Sequence, residues 1–128
     1  MATSRRSTAS GAGAVAVGTV LAGVPGCPGR ATGRARVVLH PSDPAGLQPG
    51  EVLVAATTDP SWTPLFVGAA AVVVDVGTAL SHAVIVSREL GIPCVVSVNG
   101  ATATIPDGAV VTVDGSTGTV TVIELPED

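Results

Sequence analysis

Short runs of aliphatic and β-branched residues, separated by proline, glycine and aspartate, recur along most of this sequence. Runs of this length and composition are typical of buried β-strands. Six strands are predicted on this pattern: Ala35 to Leu39, Glu51 to Ala56, Ala70 to Val76, Cys94 to Val98, Ala109 to Val113 and Thr119 to Ile123. Turn residues at 106–108 and 114–118 predict a C-terminal hairpin. The chain is therefore expected to be rich in β-structure.

Two further segments carry helix signals. Asp59 can cap the free amides of a helix over Pro60 to Val67, because the proline suits the first helical position. A second helix is predicted from Ser81 to Leu90, since Gly91 and a nearby proline end it. The strands before and after this helix complete a βαβ-like unit, so Gly77 to Leu80 forms the turn that leads into the helix.

The second predicted helix has an apolar face and a polar face when its residues are spaced at 100°. The residues of the apolar face are Leu80, Ala83, Val84, Val86, Ser87 and Leu90. His82 falls on the other face with Ile85 and Glu89, so the histidine is expected to point away from the core.

Composition limits the functions open to these 128 residues, which suffice for one domain. Aromatic residues make up 2% and tyrosine is absent, so base stacking on nucleic acid is not expected. A formal net charge of −4 provides no general surface for polyanions. Cys27 and Cys94 lie far apart and without metal-ligand spacing, so neither a metal site nor a disulfide framework is predicted.

The first 18 residues are predicted to form a flexible tail, and residues 19–125 the folded domain. Arg5 and Arg6 precede a weakly apolar run, Gly11 to Val24, which superficially resembles a signal peptide. Its single leucine disfavours that interpretation, and the run is too short to span a bilayer. Two unpaired thiols suit a reducing compartment, so a cytoplasmic protein is expected, although the sequence leaves one long-range disulfide open. Neither membrane nor nucleic-acid partners are expected.

His82 stands in the first turn of the second predicted helix, directly after a short glycine-containing loop. Unpaired amides and the positive end of the helix dipole stabilise an anion at such a place. The same field disfavours a charged ring, which leaves the imidazole neutral and nucleophilic toward a phosphoryl group. The Ser81 hydroxyl either caps the helix or donates to a phosphate oxygen. A surface histidine without a role is the alternative that composition and spacing leave open.

The sequence around His82, DVGTALSHAVIVSRELGIPCVV at 75–96, resembles the phosphohistidine signature of the mobile domain of PEP-utilising enzymes. That family includes phosphoenolpyruvate synthase, pyruvate phosphate dikinase and the rifampicin phosphotransferases. The resemblance covers about residues 20–123. It includes GVPGCPGRATGRAR at 23–36, PGEVLV at 49–54, TDPSWTP at 58–64, DG at 107–108 and DGSTG at 114–118.

The resemblance implies an α/β fold, namely a swivelling β/β/α domain with one principal helix that starts at the phosphohistidine. It also implies that His82 accepts a phosphoryl group at one active site and delivers it at another. The candidate supports for the phosphate are Ser81, Thr78, Gly77 and Arg88. Arg88 lies about two turns beyond His82, and a surface ion pair is its alternative role.

Two positions near the signature leave alternatives open. The family usually has two glycines where this chain has Gly77-Thr78, so a turn with positive φ at Thr78 would be strained unless the loop has another shape. Asp75 closes the preceding strand, where it either orients His82 or caps a loop.

Full-length members of the family carry an ATP-grasp nucleotide-binding domain, and the synthase and dikinase also carry a TIM barrel for pyruvate. This sequence has neither a phosphate loop with a lysine nor an acidic cluster for Mg²⁺. The resemblance therefore implies a stand-alone phosphoryl carrier that binds no cofactor itself and is not a complete enzyme. Its expected partners are an ATP-grasp protein, which holds ATP and magnesium, and an acceptor-binding protein. The alternatives are a non-catalytic module that binds or regulates a partner, and a gene fragment without function.

Overall fold

Eight strands and four short helical segments occur in the computed structural model, which describes residues 15–42, 47–78 and 80–126. The strands are β1 Val20–Ala22, β2 Val24–Cys27, β3 Arg30–Val37, β4 Val52–Ala55, β5 Ala71–Val74, β6 Cys94–Val96, β7 Val110–Asp114 and β8 Thr119–Glu124. The helical segments are a 3₁₀ helix Pro60–Trp62, α1 Thr63–Val67, α2 His82–Leu90 and α3 Ala101–Thr104.

The strands form a mixed sheet in the order β1-β8-β7-β3-β4-β5-β6-β2. Strands β3 to β6 are parallel to one another, and the other neighbours are antiparallel. Only Gly23 separates β1 from β2 in the chain, yet these strands lie at opposite ends of the order. The sheet therefore folds back on itself. A Cβ at Gly23 would lie 2.5 Å from the Val96 carbonyl oxygen, so this bend requires glycine.

Alternation of side chains along the central strands produces two cores. In β4, Val52 and Val54 face α3 and the antiparallel layer made by β7 and β8, whereas Leu53 and Ala55 face α1 and α2. Strand β5 alternates in the same way. The single Trp and single Phe of the chain both lie in the helix-side core, so the bulkiest side chains fix the helices to the sheet.

The predicted α/β class and its β/β/α arrangement are confirmed, and each of the six predicted strands matches a strand of the structure. Strands β1 and β2 and helix α3 were not predicted, because β1 has only three residues, proline and glycine interrupt β2, and α3 has only four residues. Leu80 is expected in the core but is 84% exposed. It precedes the first residue of α2, so the helical spacing of 100° per residue does not apply to it.

Residues 1–14 of the predicted 18-residue tail lie outside the described residues. Residues 15–18 contact the sheet: Val15 packs against the core between the layers, and the Gly18 amide donates to the Val122 carbonyl at 2.7 Å. Throughout residues 15–42, 47–78 and 80–126, no helix has the length and apolar character needed to cross a membrane.

Both cysteines are buried free thiols, so the one long-range disulfide that the sequence leaves open is not formed. Cys27 in β2 and Cys94 in β6 are partners across the antiparallel pair. Burial raises the pKa of the Cys94 thiol to about 11, so this side chain is uncharged at neutral pH.

Candidate functional site

His82 is the first residue of α2 and follows the loop that leaves the carboxyl end of β5. The helix packs Ala83 and Val84 into the helix-side core. It ends at Gly91, which adopts the left-handed conformation with φ 72°, as predicted for a C-terminal glycine. The histidine is thus attached to a firmly packed element at the edge of the parallel strands.

The imidazole of His82 lies between two threonine hydroxyls. Thr58 Oγ1 is 2.9 Å from Nδ1, and Thr63 Oγ1 is 3.3 Å from Nε2. The Phe66 ring meets the imidazole edge to face, with centroids 5.6 Å apart and planes at 79°. Thr58, Thr63 and Phe66 all come from one short segment, and we call them the imidazole cradle. The ring is therefore held against α1, although the helical projection alone predicted that it points away from the core.

The cradle segment has local reasons to fold as it does. Asp59 Oδ1 accepts a hydrogen bond from the Ser61 amide at 2.9 Å, and Pro60 occupies the first position of the 3₁₀ helix. Hydrogen bonds from the Ser61 side chain and amide lower the pKa of Asp59, and the nearby His82 lowers it further. The cap predicted at Asp59 is therefore present, and it sets the turn that separates Thr58 from Thr63.

The amino-terminal turn of α2 has no side-chain cap. Ser81 is the N-cap residue, but its hydroxyl donates to the Thr78 carbonyl at 2.8 Å instead of accepting from the helix. The structure therefore shows no capping by the Ser81 hydroxyl, and its donation to a phosphate oxygen stays a prediction. Helix amides without a cap, together with the helix dipole, provide a local positive potential beside His82.

The loop before α2 accommodates Thr78 without strain. Among the described residues, Ser97 is the only non-glycine residue with a positive φ, so Thr78 does not adopt the left-handed conformation. Its Oγ1 instead accepts from the Leu80 amide at 3.2 Å. Gly77 lies close to β6, where a Cβ would come within 3.2 Å of the Val96 Cβ. The loop therefore has the alternative shape that a threonine permits.

Arg88 and Asp75 are engaged away from the imidazole. Arg88 Nε donates to the Gly26 carbonyl at 3.0 Å, which ties the end of α2 to β2. Asp75 accepts from the Thr102 amide at 2.9 Å and from its hydroxyl at 2.6 Å, so it fixes α3. Of the predicted site residues, the structure brings Gly77, Thr78 and Ser81 together at the start of α2 and places Arg88 elsewhere.

The sequence profile of the PEP-utilising enzyme mobile domain matches residues 47–118. This span contains the cradle, the loop before α2 and His82. The chain belongs to the PEP-utilising enzyme mobile-domain family.

Relatives of this mobile domain are much longer proteins. The chain is 50% identical over 109 residues to the phosphoenolpyruvate synthase of Aeropyrum pernix, covering 84% of the chain and 13% of that enzyme. It is 44% identical over 103 residues to the rifampicin phosphotransferase of Bacillus cereus, covering 80% and 12%. The segment shared with these enzymes is thus a small fraction of their length.

The mobile domain also resembles a protein of known structure. The solution structure of Enzyme I (nEIt) aligns with a TM-score of 0.54 at 34% identity, over 66% of this chain and 34% of that one. The resemblance identified from the sequence and its fold are therefore supported by both profile and structure.

The sequence pattern does not predict that the Thr58 and Thr63 hydroxyls contact His82. The segment TDPSWTP was recognised as part of the resemblance, but no role followed from it, because contact with His82 depends on how α1 packs against α2. The available signal was two threonines on either side of a predicted helix start, Asp59-Pro60, in a segment that resembles the family.

Proposed function

We propose that this mobile domain carries a phosphoryl group on His82 between a nucleotide-binding unit and an acceptor-binding unit. The observation that carries the proposal is the position of the ring, which is oriented by two hydroxyls beside the uncapped amino terminus of α2. An oriented neutral imidazole is a suitable nucleophile, and the helix terminus stabilises the phosphoryl charge that follows.

Nε2 is the nitrogen that we assign to phosphoryl transfer. Nδ1 makes the shorter contact, 2.9 Å to Thr58, against 3.3 Å from Nε2 to Thr63. When Thr58 accepts the Nδ1 proton, the lone pair of a neutral ring lies on Nε2. The shorter bond therefore anchors the ring, and the weaker one leaves the nucleophile free to react.

Both transfers are in-line displacements at phosphorus. The Nε2 lone pair forms the N–P bond while the P–O bond to the donor's leaving group breaks, and the electron pair of that bond goes to the leaving oxygen. An acceptor hydroxyl then attacks phosphorus and loses its proton to a base of the acceptor unit. The N–P bond breaks, and its electron pair returns to Nε2.

The partner must supply most of the positive charge for transfer. Arg88 is the cation on α2, and its contact with Gly26 holds it away from the ring. The amides at the helix terminus contribute only partial charges. An ATP-grasp unit with bound ATP and magnesium would provide the missing cations, and the acceptor unit would decide which molecule receives the phosphate.

The alternative of a non-catalytic module depended on Thr78, which stands where the family usually has a second glycine. Because Thr78 adopts an ordinary conformation and supports the loop through Leu80, this substitution gives no reason to expect an inactive site. A transfer role is therefore the function that we retain.

The proposal is tested by incubating the chain with ATP, Mg²⁺ and an ATP-grasp unit from a phosphoenolpyruvate synthase, followed by intact-mass measurement. The wild-type chain and His40→Ala should gain one phosphoryl group, whereas His82→Ala should gain none. His40 is the matched control, because it is exposed and contacts Ser42 and not the cradle. A full signal in His82→Ala would reject the proposal.

A further inference from the structure

We propose that Thr63 is a positioning residue for the reacting nitrogen, whose hydroxyl donates to Nε2 before transfer and to a phosphoryl oxygen afterwards. This inference rests on the proposed function of His82. The two hydroxyls of the cradle then have different roles. Thr58 orients the ring, and Thr63 changes its hydrogen-bond acceptor from Nε2 to a phosphoryl oxygen.

The donor role of Thr63 follows from the protons available to the ring. A neutral imidazole has one nitrogen that donates and one that accepts. In the ring form assigned above, Thr58 accepts the Nδ1 proton across 2.9 Å and Nε2 is the acceptor, so the hydroxyl 3.3 Å from Nε2 is assigned as its donor. Thr63 therefore favours the ring form in which Nε2 holds the lone pair, which is the form that can attack phosphorus.

The backbone around Thr63 keeps its hydroxyl at this place. The Thr63 amide donates to the Pro60 carbonyl at the end of the 3₁₀ helix. The next residue is Pro64, whose ring fixes its own φ angle. One turn later, Phe66 is fully buried in the helix-side core. The side-chain hydroxyl can rotate about χ1, but the Cα to which it is attached is held fixed.

Transfer changes the partner of this hydroxyl. Once Nε2 is bonded to phosphorus, its lone pair is consumed and it no longer accepts a hydrogen bond. The phosphoryl oxygens then lie beyond Nε2, on the side of the ring that Thr63 already faces. The contact of 3.3 Å is long for a hydrogen bond, so its loss costs little, and a charged oxygen is a stronger acceptor. Thr58, on the opposite nitrogen, keeps its bond throughout.

The rate experiment uses phosphoramidate, a small donor that needs no partner unit, on the full chain. Thr63→Val replaces the hydroxyl by a methyl group of similar size, and Thr63→Ser retains a hydroxyl. We expect Thr63→Val to be phosphorylated on His82 about three- to tenfold more slowly and its phosphohistidine to hydrolyse faster by a similar factor. Thr63→Ser should remain within about twofold of the wild type. Thr57→Val is the matched control, because Thr57 is exposed and outside the cradle.

A second readout follows the ring directly through ¹⁵N-labelled histidine in the unphosphorylated chain. The wild type and Thr63→Ser should show a protonated Nδ1 and an unprotonated Nε2, and Thr63→Val should lose part of this preference. Melting temperatures identify a variant that fails to fold, in which case Thr63→Ala replaces Thr63→Val.

Two results would overturn the inference: unchanged rates and ring shifts in folded Thr63→Val or Thr63→Ala, or a wild-type ring protonated on Nε2. If the wild type were not phosphorylated at all, the proposed function would fail, while the ring shifts would still report on Thr63.

Discussion

At position 78 a threonine holds the loop before α2 through its side chain. Thr78 Oγ1 accepts from the Leu80 amide, and its carbonyl accepts from the Ser81 amide and hydroxyl. Thr78→Gly should therefore leave phosphorylation of His82 by phosphoramidate nearly unchanged and lower the free energy of unfolding by about 0.5–1 kcal/mol, because glycine loses more backbone entropy. A rise in both melting temperature and phosphorylation rate would show that Thr78 strains the loop after all.

Among the described residues, Ser97 is the only non-glycine residue in the left-handed backbone conformation, which is unfavourable for a residue with a Cβ. Its φ is 57°, in the left-handed region, and its side chain is exposed. Glycine adopts this conformation without a Cβ penalty, so Ser97→Gly should raise the free energy of unfolding by about 0.5–1 kcal/mol in denaturant titration. Ser97→Ala, which keeps the Cβ, is the control and should give no gain. Equal effects of the two substitutions would contradict this explanation.

Among the elements, α2 packs against the sheet and buries one polar side chain, that of Ser87. Ser87 is fully buried, and its hydroxyl makes no hydrogen bond of good geometry in the described part of the chain, although it lies near enough to the Cys94 thiol to lower the pKa of that group against the larger effect of burial. Removing an unsatisfied buried hydroxyl relieves a desolvation cost. Ser87→Ala should therefore raise the free energy of unfolding by up to about 1 kcal/mol and leave the rate of His82 phosphorylation unchanged. A loss of more than about 1 kcal/mol would mean that the hydroxyl makes a bond in solution.

The same elements show what could be predicted from the sequence. Helix α2 carries local signals at both ends, a serine before its first residue and Gly91 after its last, so its place and His82 could be predicted. Strands β4 to β6 are uninterrupted aliphatic runs. Strands β1 and β2 could not be recognised, because β1 is only three residues long, β2 contains proline and glycine, and both pair with strands distant in sequence.

The cradle could not be predicted for a related reason. Thr58 and Thr63 contact a histidine 24 and 19 residues away, through the packing of α1 against α2. Local pattern predicts a helix start at Asp59 and another at Ser81, but it predicts neither the division of the first helix into a 3₁₀ helix and α1 nor the relative placement of the two. The hydroxyl contacts of the imidazole thus depend on tertiary packing, whereas the position of His82 in the first turn of a helix follows from local sequence.

For the whole molecule, Glu51 belongs to a charged network that joins the start of β4 to β3 and to the turn before β7. Its carboxylate contacts Arg36 of β3 at 3.0 Å and accepts from the Gln48 amide at 2.8 Å. Arg36 also reaches Asp107, 3.4 Å away in the turn before β7. Burial raises the pKa of Glu51, but the hydrogen bonds from Arg36 and Gln48 outweigh it and hold the pKa below its ordinary value of 4.5.

A lowered pKa in the folded state makes this linkage sensitive to acid. The stabilisation by Glu51 is complete above its ordinary pKa of 4.5 and is lost as the pH falls through the lowered value of the folded state. The free energy of unfolding should therefore decline more steeply between about pH 5 and 3 in the wild type than in Glu51→Gln, as measured by urea titration. Parallel curves for the two proteins would show that Glu51 does not contribute to acid sensitivity.

The position of the phosphoryl group in the phosphorylated chain tests the central claim most directly. A ¹H–³¹P correlation spectrum of the full chain after phosphoramidate treatment reports which ring or hydroxyl carries phosphorus. Phosphorylation on Nε2 of His82 predicts coupling of one ³¹P signal to both carbon-bound ring protons of that residue, with no such signal in His82→Ala. Phosphorus on His40, or on a serine or threonine oxygen, with none on His82, would contradict it.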